Sequence, residues 1–334
     1  MSDLTIVSSS PHAHSGTSVQ RIMLDVIVAM LPALAAAIYF FGWDAVRLVS
    51  ACVLACVAAE AVARKWMGRD LGVYDLSAVI TGMLLAFNLP PSLPTWMAVV
   101  GSVFAIVIAK QLFGGIGYNP FNPALAGRVM LLISFPVFMT SWSQWVIPAP
   151  IGIDAVTTAT PLGLVKTAVL SGGALPFTFN SSTALQLFLG NQNGCIGEVS
   201  AAALLLGGLY LLWRRCISWH IPGAYLGTVA IFSGILWLLN PEQNLSPLFH
   251  VLAGGLMLGA LFMATDMVTS PVTKRGMLVF GAGCGVLTML IRKWGGYPEG
   301  VSFAIILMNA ITPLINRATR PRVFGGVKSG KKTS

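Results

Sequence analysis

The residues best suited to chemistry lie in the segment "IGIDAVTTATPLG", Ile151 to Gly163. It has three threonines behind one aspartate and no histidine, cysteine or second carboxylate that could act as a general base. From the residues alone, Thr160 is a good N-cap and Pro161 suits the first position of a helix through "LGLVKTAVL". The segment therefore offers hydroxyl groups, and their simplest use is to cap a helix.

Composition places most of the remaining chain in a membrane. Hydrophobic residues make up 56% of the sequence and charged residues 9%, against roughly 25% charged in a soluble domain. The net charge of +9 comes from basic residues at the ends of apolar runs, so we expect membrane anchoring and no nucleic-acid partner.

The five cysteines form no C-x-x-C pair, and we expect no metal site. The polar N-terminus lacks an apolar signal core, so we expect no cleaved leader.

Apolar runs predict ten transmembrane helices in two sets of five, so the predicted fold class is an all-α polytopic membrane protein. The first set is predicted at 21–42, 45–63, 75–89, 95–113 and 122–139. The second set is predicted at 196–213, 221–239, 248–267, 275–291 and 300–316. The domains are a tail (1–20), a first five-helix repeat (21–139), a loop (140–195), a second five-helix repeat (196–316) and a basic tail (317–334).

Lysine and arginine predict the orientation. One set of helix ends carries most of them: Arg64, Lys65, Arg69, Lys110, Arg214, Arg215, Lys274, Arg275 and those of the C-terminal tail. Basic residues favour the cytoplasmic side, so we expect both termini in the cytoplasm and Thr160 in a periplasmic loop of a bacterial inner-membrane protein. Arg292 and Lys293 are the one discordant pair, on the outer side.

The two halves are weakly similar, and aligning "TGMLLAFNLPP" with "GALFMATDMVT" places Asn88 opposite Asp266. Because five is an odd number, the second half would enter the bilayer from the opposite side and form an inverted repeat. A site is then expected near the interrupted third and eighth segments, which end in "FNLPPSLP" and "TDMVTSP". Asp266 is the candidate for an ion pathway, because an ionisable group near a membrane is costly. Alternatively, proline and glycine merely loosen two helices.

Five stretches follow one another along the chain: "SSPHAHSG", "RIMLDVIVAMLPALAAAIYFFGW", "GGIGYNPFNPALAGRVML", "DAVTTATPLG" and "ATDMVTSP". With these stretches in this order, nearly the whole chain resembles the D subunit of the Rnf (Rsx) electron-transport complex, in the RnfD/NqrB family. Asp154, Thr157, Thr158, Ala159 and Thr160 resemble the motif D-x-x-[ST]-x-[AS]-T, at which a secreted flavin transferase joins FMN to the last threonine. The resemblance thus implies a flavin-bearing outer loop with FMN in a phosphoester on Thr160, which requires a hydroxyl that can attack the diphosphate of FAD.

The family also implies a second, noncovalent flavin, riboflavin, held among the helices. Asn119 and Asn122 in "GYNPFNPA" are the candidate ligands, because asparagines three apart share a helix face and can both donate and accept hydrogen bonds. Each precedes a proline, so helix capping is the alternative. Lys110 could pair with the flavin or anchor its helix at lipid headgroups.

The resemblance implies a redox subunit, incomplete on its own, of a complex that moves electrons between NADH and ferredoxin and transports Na⁺ or H⁺. Implied partners are the other subunits, especially a second covalent-flavin subunit and iron-sulfur subunits, and a periplasmic flavin transferase. The sequence has no nucleotide-binding fingerprint, so electrons would arrive from those partners. The repeat and the interrupted helices alone leave a solute channel or secondary transporter without redox role as the alternative.

Overall fold

The computed structural model describes residues 18–70, 72–142, 160–170, 180–190, 194–241 and 243–321, and within these ranges all regular structure is helical. Residues 1–17 and 322–334 of the predicted tails and about half of the predicted 140–195 loop lie outside the described residues.

Among the described residues, five helices are long and apolar enough to cross a membrane: α1 (Val19–Phe41), α2 (Trp43–Trp66), α10 (His220–Leu239), α13 (Lys274–Trp294) and α14 (Val301–Ala318). The 23 residues of α1 correspond to about 34 Å of helix, more than the roughly 30 Å of a bilayer's hydrocarbon core. Large apolar side chains such as Leu54 and Leu238 are exposed on the outer faces of these helices. The chain is therefore a multi-pass membrane protein.

The other helices are shorter, and several are interrupted. The longer ones are α3 (Ser77–Phe87), α4 (Thr95–Val103, continued by a π-helix over Phe104–Gln111), α5 (Pro123–Ser134) and α9 (Ala201–Trp213). The short ones are α6 (Pro136–Met139), α7 (Pro161–Leu170), α8 (Ser181–Leu189), α11 (Pro247–Leu252) and α12 (Leu256–Leu258, continued by a π-helix over Gly259–Met263). The 11 residues of α3 correspond to about 17 Å, which is only part of a bilayer's thickness.

Helices overlap all ten predicted segments, but the sixth begins at Ala201 and not at residue 196. Residues 194–200 are buried and non-helical. The backbone N–H of Ile196 donates to the carbonyl of Leu89 at 3.0 Å, and that of Gly197 to the carbonyl of Phe87 at 2.8 Å. This stretch thus satisfies carbonyls left open at the end of α3, as interrupted helices in a membrane require.

The eighth segment is interrupted inside its predicted range and not only at its "TDMVTSP" end. Residues 253–255 separate α11 from α12, and Gly254 and Gly255 have φ values of 76° and 65°. Glycine adopts this left-handed backbone without the steric cost of a side chain. Two adjacent glycines therefore allow the interruption, and the hydropathy pattern does not reveal it because they lie within an apolar run.

The two halves of the chain share one core. Helix α1 packs against α9, and α5 against α14, while α10 packs against α13 within the second half. At the first of these contacts a Cβ atom on Gly207 would lie 2.0 Å from the carbonyl oxygen of Ala29. The small residue allows two backbones to approach closely, which is how membrane helices commonly associate.

The discordant basic pair, Arg292 and Lys293, donates hydrogen bonds to acceptors within the chain. Arg292 is 6% exposed and donates to the carbonyls of His250 at 2.6 Å, Ala253 at 2.8 Å and Gly254 at 3.1 Å. Lys293 Nζ donates to Asn244 Oδ1 at 2.6 Å. Because these side chains are held by internal acceptors, their positions are set by packing and not by the charge asymmetry between loops.

Candidate functional site

One cavity brings together four residues that the sequence predicted as site residues: Lys110, Asn119, Asn122 and Asp266. The remaining wall is largely apolar and comes from α1, α3, α5 and the end of α9, together with the π-helix that follows α12. The cavity and its mouth enclose about 880 Å³ of empty space. A few polar groups in an apolar concave site are typical of a binding pocket for a small organic ligand.

Asn122 is the N-cap of α5. Its Oδ1 accepts from the backbone N–H groups of Ala124 at 3.1 Å and Leu125 at 3.4 Å. Its Nδ2 donates to the carbonyl of Met263 at 3.3 Å and so links the start of α5 to the π-helix after α12. The capping interpretation therefore holds for Asn122, and the same side chain lies in the cavity wall.

The side chain of Asn119 bonds within its own turn, from its Nδ2 to the carbonyl of Phe121 at 3.0 Å. It is 7% exposed and lines the same cavity as Asn122. The two asparagines thus share a cavity, but Asn122 also joins two elements of the fold, whereas the bond of Asn119 is local.

Lys110 does not reach lipid headgroups, which corrects that interpretation of it. Its side chain is 3% exposed, and Nζ contacts Glu60 Oε1 at 2.9 Å, Glu60 Oε2 at 3.0 Å and Ser77 Oγ at 2.6 Å. Glu60 is completely buried and also accepts from Gln111 Nε2 at 2.6 Å. Glu60 is not among the predicted site residues, although a single glutamate among the apolar residues of α2 is a visible signal of a functional position.

Asp266 closes a turn after the second π-helix. Its Oδ1 accepts from the backbone N–H of Val268 at 3.3 Å and its Oδ2 from Thr269 Oγ1 at 3.0 Å. Asn88, which the repeat alignment placed opposite Asp266, is the C-cap of α3 and does not line the cavity. Both residues end an interrupted helix, but they lie in different environments.

Thr160 stands at the start of α7 and is 4% exposed. Its Oγ1 accepts from the backbone N–H of Gly163 at 3.1 Å, and its carbonyl accepts from the N–H of Leu164 at 2.9 Å. The predicted helix cap is thus present. The other motif residues, Asp154, Thr157, Thr158 and Ala159, lie outside the described residues.

A second cavity lies beside α7 and is strongly basic. Leu162 and Lys166 of α7 line it together with His250, Arg292 and Lys293. Lys166 Nζ donates to the carbonyls of Tyr297 at 2.7 Å and Ile291 at 3.3 Å, and partial burial lowers the pKa of Lys166. Cationic side chains beside the helix that begins at Thr160 are suited to an anionic group attached there.

Comparison with known proteins gives matches along the whole chain. Residues 6–325 match the family model described as the NQR2, RnfD, RnfE family. The chain is 51% identical to the D subunit of the Na(+)-translocating ferredoxin:NAD(+) oxidoreductase complex of Acetobacterium woodii, over 99% of each chain. It is 46% identical to the D subunit of the proton-translocating ferredoxin:NAD(+) oxidoreductase complex of Clostridium ljungdahlii, over 96% of each. It is 42% identical to the D subunit of the ion-translocating oxidoreductase complex of Salmonella newport, over 96% of this chain and 98% of the relative.

Proposed function

Because the chain belongs to the NQR2, RnfD, RnfE family, we propose that it is the D-type membrane subunit of an ion-translocating ferredoxin:NAD⁺ oxidoreductase complex. In this proposal it carries electrons through a covalent FMN and a bound riboflavin, and it works only with the other subunits of the complex. Support comes from relatives of that description that match almost end to end.

The position of Thr160 is the observation that best supports a covalently attached flavin. It is the last residue of the flavinylation motif, and it begins a ten-residue helix beside the basic cavity. A phosphoester on its Oγ would place the phosphate at a helix N-terminus, where the helix dipole favours an anion. Lys166, Arg292 and Lys293 add positive charge. The residues present therefore fit a phosphate-linked flavin, which when bound would accept and pass on electrons.

The burial of Thr160 sets a condition on its modification. Thr160 as a whole is only 4% exposed, so its hydroxyl cannot enter a transferase cleft in this arrangement. Leu162 anchors the start of α7 by packing with Leu245 and Phe249. We therefore infer that the transferase acts before α7 docks on this cluster, or when α7 has come away from it.

The first cavity is the proposed riboflavin site. Asn119 and Asn122 offer amide groups to the polar edges of a flavin, and Ile80, Leu84 and Phe262 offer apolar surface to its rings. Lys110 stands at the wall, but its ammonium is already bound by Glu60 and Ser77. We assign Lys110 a positioning role there, because it fixes the wall next to the asparagines.

Ten membrane spans in two inverted repeats complete the proposal, with both termini in the cytoplasm of a bacterial cell and Thr160 on the periplasmic side of the inner membrane. The domain boundaries follow the predicted ones. The proposed partners are the remaining subunits of the complex, including a second covalent-flavin subunit and iron-sulfur subunits, and the flavin transferase. Either Na⁺ or H⁺ is transported; the relatives include a protein named for each.

Changing Thr160 tests the proposal. In cells with an active flavin transferase, the tryptic peptide that contains Thr160 should carry the mass of FMN less one water, and the chain should fluoresce after SDS electrophoresis. Thr160→Ala should abolish both signals, while Thr160→Ser keeps a hydroxyl and should retain part of them. Thr157→Ala and Thr158→Ala leave the acceptor hydroxyl in place and should keep much of the fluorescence. Thr158→Ala changes a variable position of the motif and is the matched control.

The alternative function, a transporter without redox role, makes the opposite prediction. Loss of the N-cap costs only about 1 kcal/mol, so Thr160→Ala should then fold with unchanged cofactor content. An unmodified Thr160 peptide from the parent chain, made with an active transferase, would favour that alternative.

A further inference from the structure

A buried cluster of charged side chains lies where the two halves of the chain meet. Arg128 of α5 is at its centre, with a side chain that is 8% exposed. Its Nη1 donates to Asn88 Oδ1 at 3.0 Å and to Ser302 Oγ at 2.6 Å. Its Nη2 forms an ion pair with Glu299 and contacts Cys195 Sγ at 3.7 Å. One guanidinium thus joins α3 and α5 of the first half to two segments of the second.

Two glutamates and a cysteine converge next to this guanidinium. One potential ligand atom from each of Cys195, Glu198 and Glu299 lies within 4.8 Å of the other two. Glu198 is 7% exposed, and the Glu299 side chain is 10% exposed. Two ionised carboxylates this close together and this far from water repel each other unless one of them takes up a proton or a cation lies between them.

One carboxylate oxygen of the cluster lacks a donor. Glu299 Oε2 accepts from Arg128, but Glu299 Oε1 is buried without a hydrogen-bond partner in the described part of the chain. Leaving a buried carboxylate oxygen unsatisfied is costly, so such an atom needs a reason. A small cation bound at Glu299 Oε1 would satisfy this oxygen.

The two nearby arginines are bound to other groups through their Nη atoms. Arg128 is shared among four side chains. Arg292 lies near Glu198, but its guanidinium donates to three carbonyls at the end of α11. Neither arginine donates to the second oxygen of Glu299, so this oxygen is open to a further cation.

The position of the cluster is that of an ion site in an interrupted-helix membrane protein. Asn88 ends α3, and the Glu198 carboxylate would lie 3.8 Å from a Cβ atom on Gly255, the residue before α12. The end of the third segment and the break inside the eighth segment thus both lie at the cluster. Membrane transport proteins place their ion sites at such junctions, where helix ends and unwound backbone meet charged side chains.

We propose that Glu198 and Glu299 bind one monovalent cation, a proton or Na⁺, in a pocket completed by Arg128 and Cys195. The site lies on the path of the ion that the complex transports. This assignment to the transport path rests on the proposed function. The first cavity and the flavin positions play no part in this assignment.

The test uses the whole complex in sealed vesicles, with Glu198→Gln and Glu299→Gln as separate variants. Ferredoxin-dependent NAD⁺ reduction reports electron transfer, while ²²Na⁺ uptake and a pH-sensitive dye report ion transport. Both variants should keep their flavins, but the ratio of ions transported to electrons transferred should fall. The matched control is Asp25→Asn, which removes a carboxylate that is paired with Arg214 at 3.0 Å outside the cluster, and it should keep the parent ratio.

The two cations are distinguished by the stability of the purified complex at constant ionic strength. If the site binds Na⁺, replacing K⁺ by Na⁺ should raise the melting temperature of the parent, because a ligand stabilises the state that binds it, and both glutamine variants should lose the shift. If the site binds a proton, replacing K⁺ by Na⁺ should leave the melting temperature of the parent unchanged. Ion transport by the parent should then depend on pH, and this dependence should be altered in both glutamine variants.

Glu299→Gln leaves Arg128 without its buried counter-charge and could prevent folding. The double variant Arg128→Met/Glu299→Met removes both charges, so it should assemble and still lose transport. Parent-like transport in Glu198→Gln and in this double variant would overturn the cation site. A parent complex without flavin or electron transfer would instead contradict the proposed function.

Discussion

At the scale of single residues, the buried pair of Glu60 and Lys110 is the most sensitive point near the first cavity. Both side chains are almost fully buried, and they form an ion pair of 2.9 Å. Removing one partner of such a pair leaves an uncompensated charge, at a cost of about 3–5 kcal/mol. We predict that Glu60→Leu and Lys110→Met each lower the melting temperature of the solubilised protein.

The double variant Glu60→Leu/Lys110→Met is the control for this prediction. It removes both charges together and should recover much of the lost stability, since apolar residues can replace a buried pair. A double variant whose destabilisation equals the sum of the two single effects would show that the two charges do not interact.

The asparagines of the first cavity need substitutions that separate binding from capping. Asn122→Leu would remove both the cap of α5 and the bond to Met263, so loss of riboflavin in it would be ambiguous. Asn122→Ser keeps a capping oxygen but loses the Nδ2 donor. We predict that Asn119→Leu combined with Asn122→Ser lowers the riboflavin extracted from the purified protein and leaves the covalent flavin in place. Full riboflavin in the folded double variant would exclude both residues as ligands.

At the scale of elements, the interruption between α11 and α12 depends on Gly254. A Cβ atom there would lie 2.2 Å from Leu162 Cδ1 and 2.6 Å from Arg292 Nη2, on a backbone with φ of 76°. We predict that Gly254→Ala destabilises the chain and loosens the packing of α7 on α11. Thermal unfolding and protease sensitivity near α7 are the measurements.

Gly227 on α10 is the matched control for that substitution, since a Cβ atom there has no neighbour within 4 Å. Gly227→Ala should leave stability nearly unchanged or raise it slightly, because alanine favours a helix. Equal effects of the two substitutions would remove the steric argument for Gly254.

At the scale of the whole molecule, orientation is the property on which access to Thr160 depends. The distribution of lysine and arginine predicts cytoplasmic termini and a periplasmic 140–195 loop. Reporter fusions after Met139 and after Leu170 should therefore behave as exported, and a fusion at the C-terminus as cytoplasmic. Cytoplasmic behaviour of the first two fusions would remove the route by which a secreted transferase reaches Thr160.

The sequence by itself determined the class of the protein, the approximate places of its helices and the cap at Thr160. These are local properties: the length of an apolar run decides whether a helix can span the membrane, and a threonine before a proline is a good start for a helix. The glycine pair at 254 and 255 is also local, but it lies inside an apolar run, so a hydropathy pattern does not separate α11 from α12.

Only the tertiary structure decided which residues meet. Lys110 pairs with Glu60 from 50 positions earlier, and Arg128 pairs with Glu299 from 171 positions later. Spacing along one helix carries no signal for such contacts, because they depend on how separate helices pack. The same physics explains why Lys110 does not reach the headgroups and why Arg292 and Lys293 are bound by internal acceptors: a charge in a membrane protein is costly wherever it lacks a partner, and the fold supplies partners from distant segments.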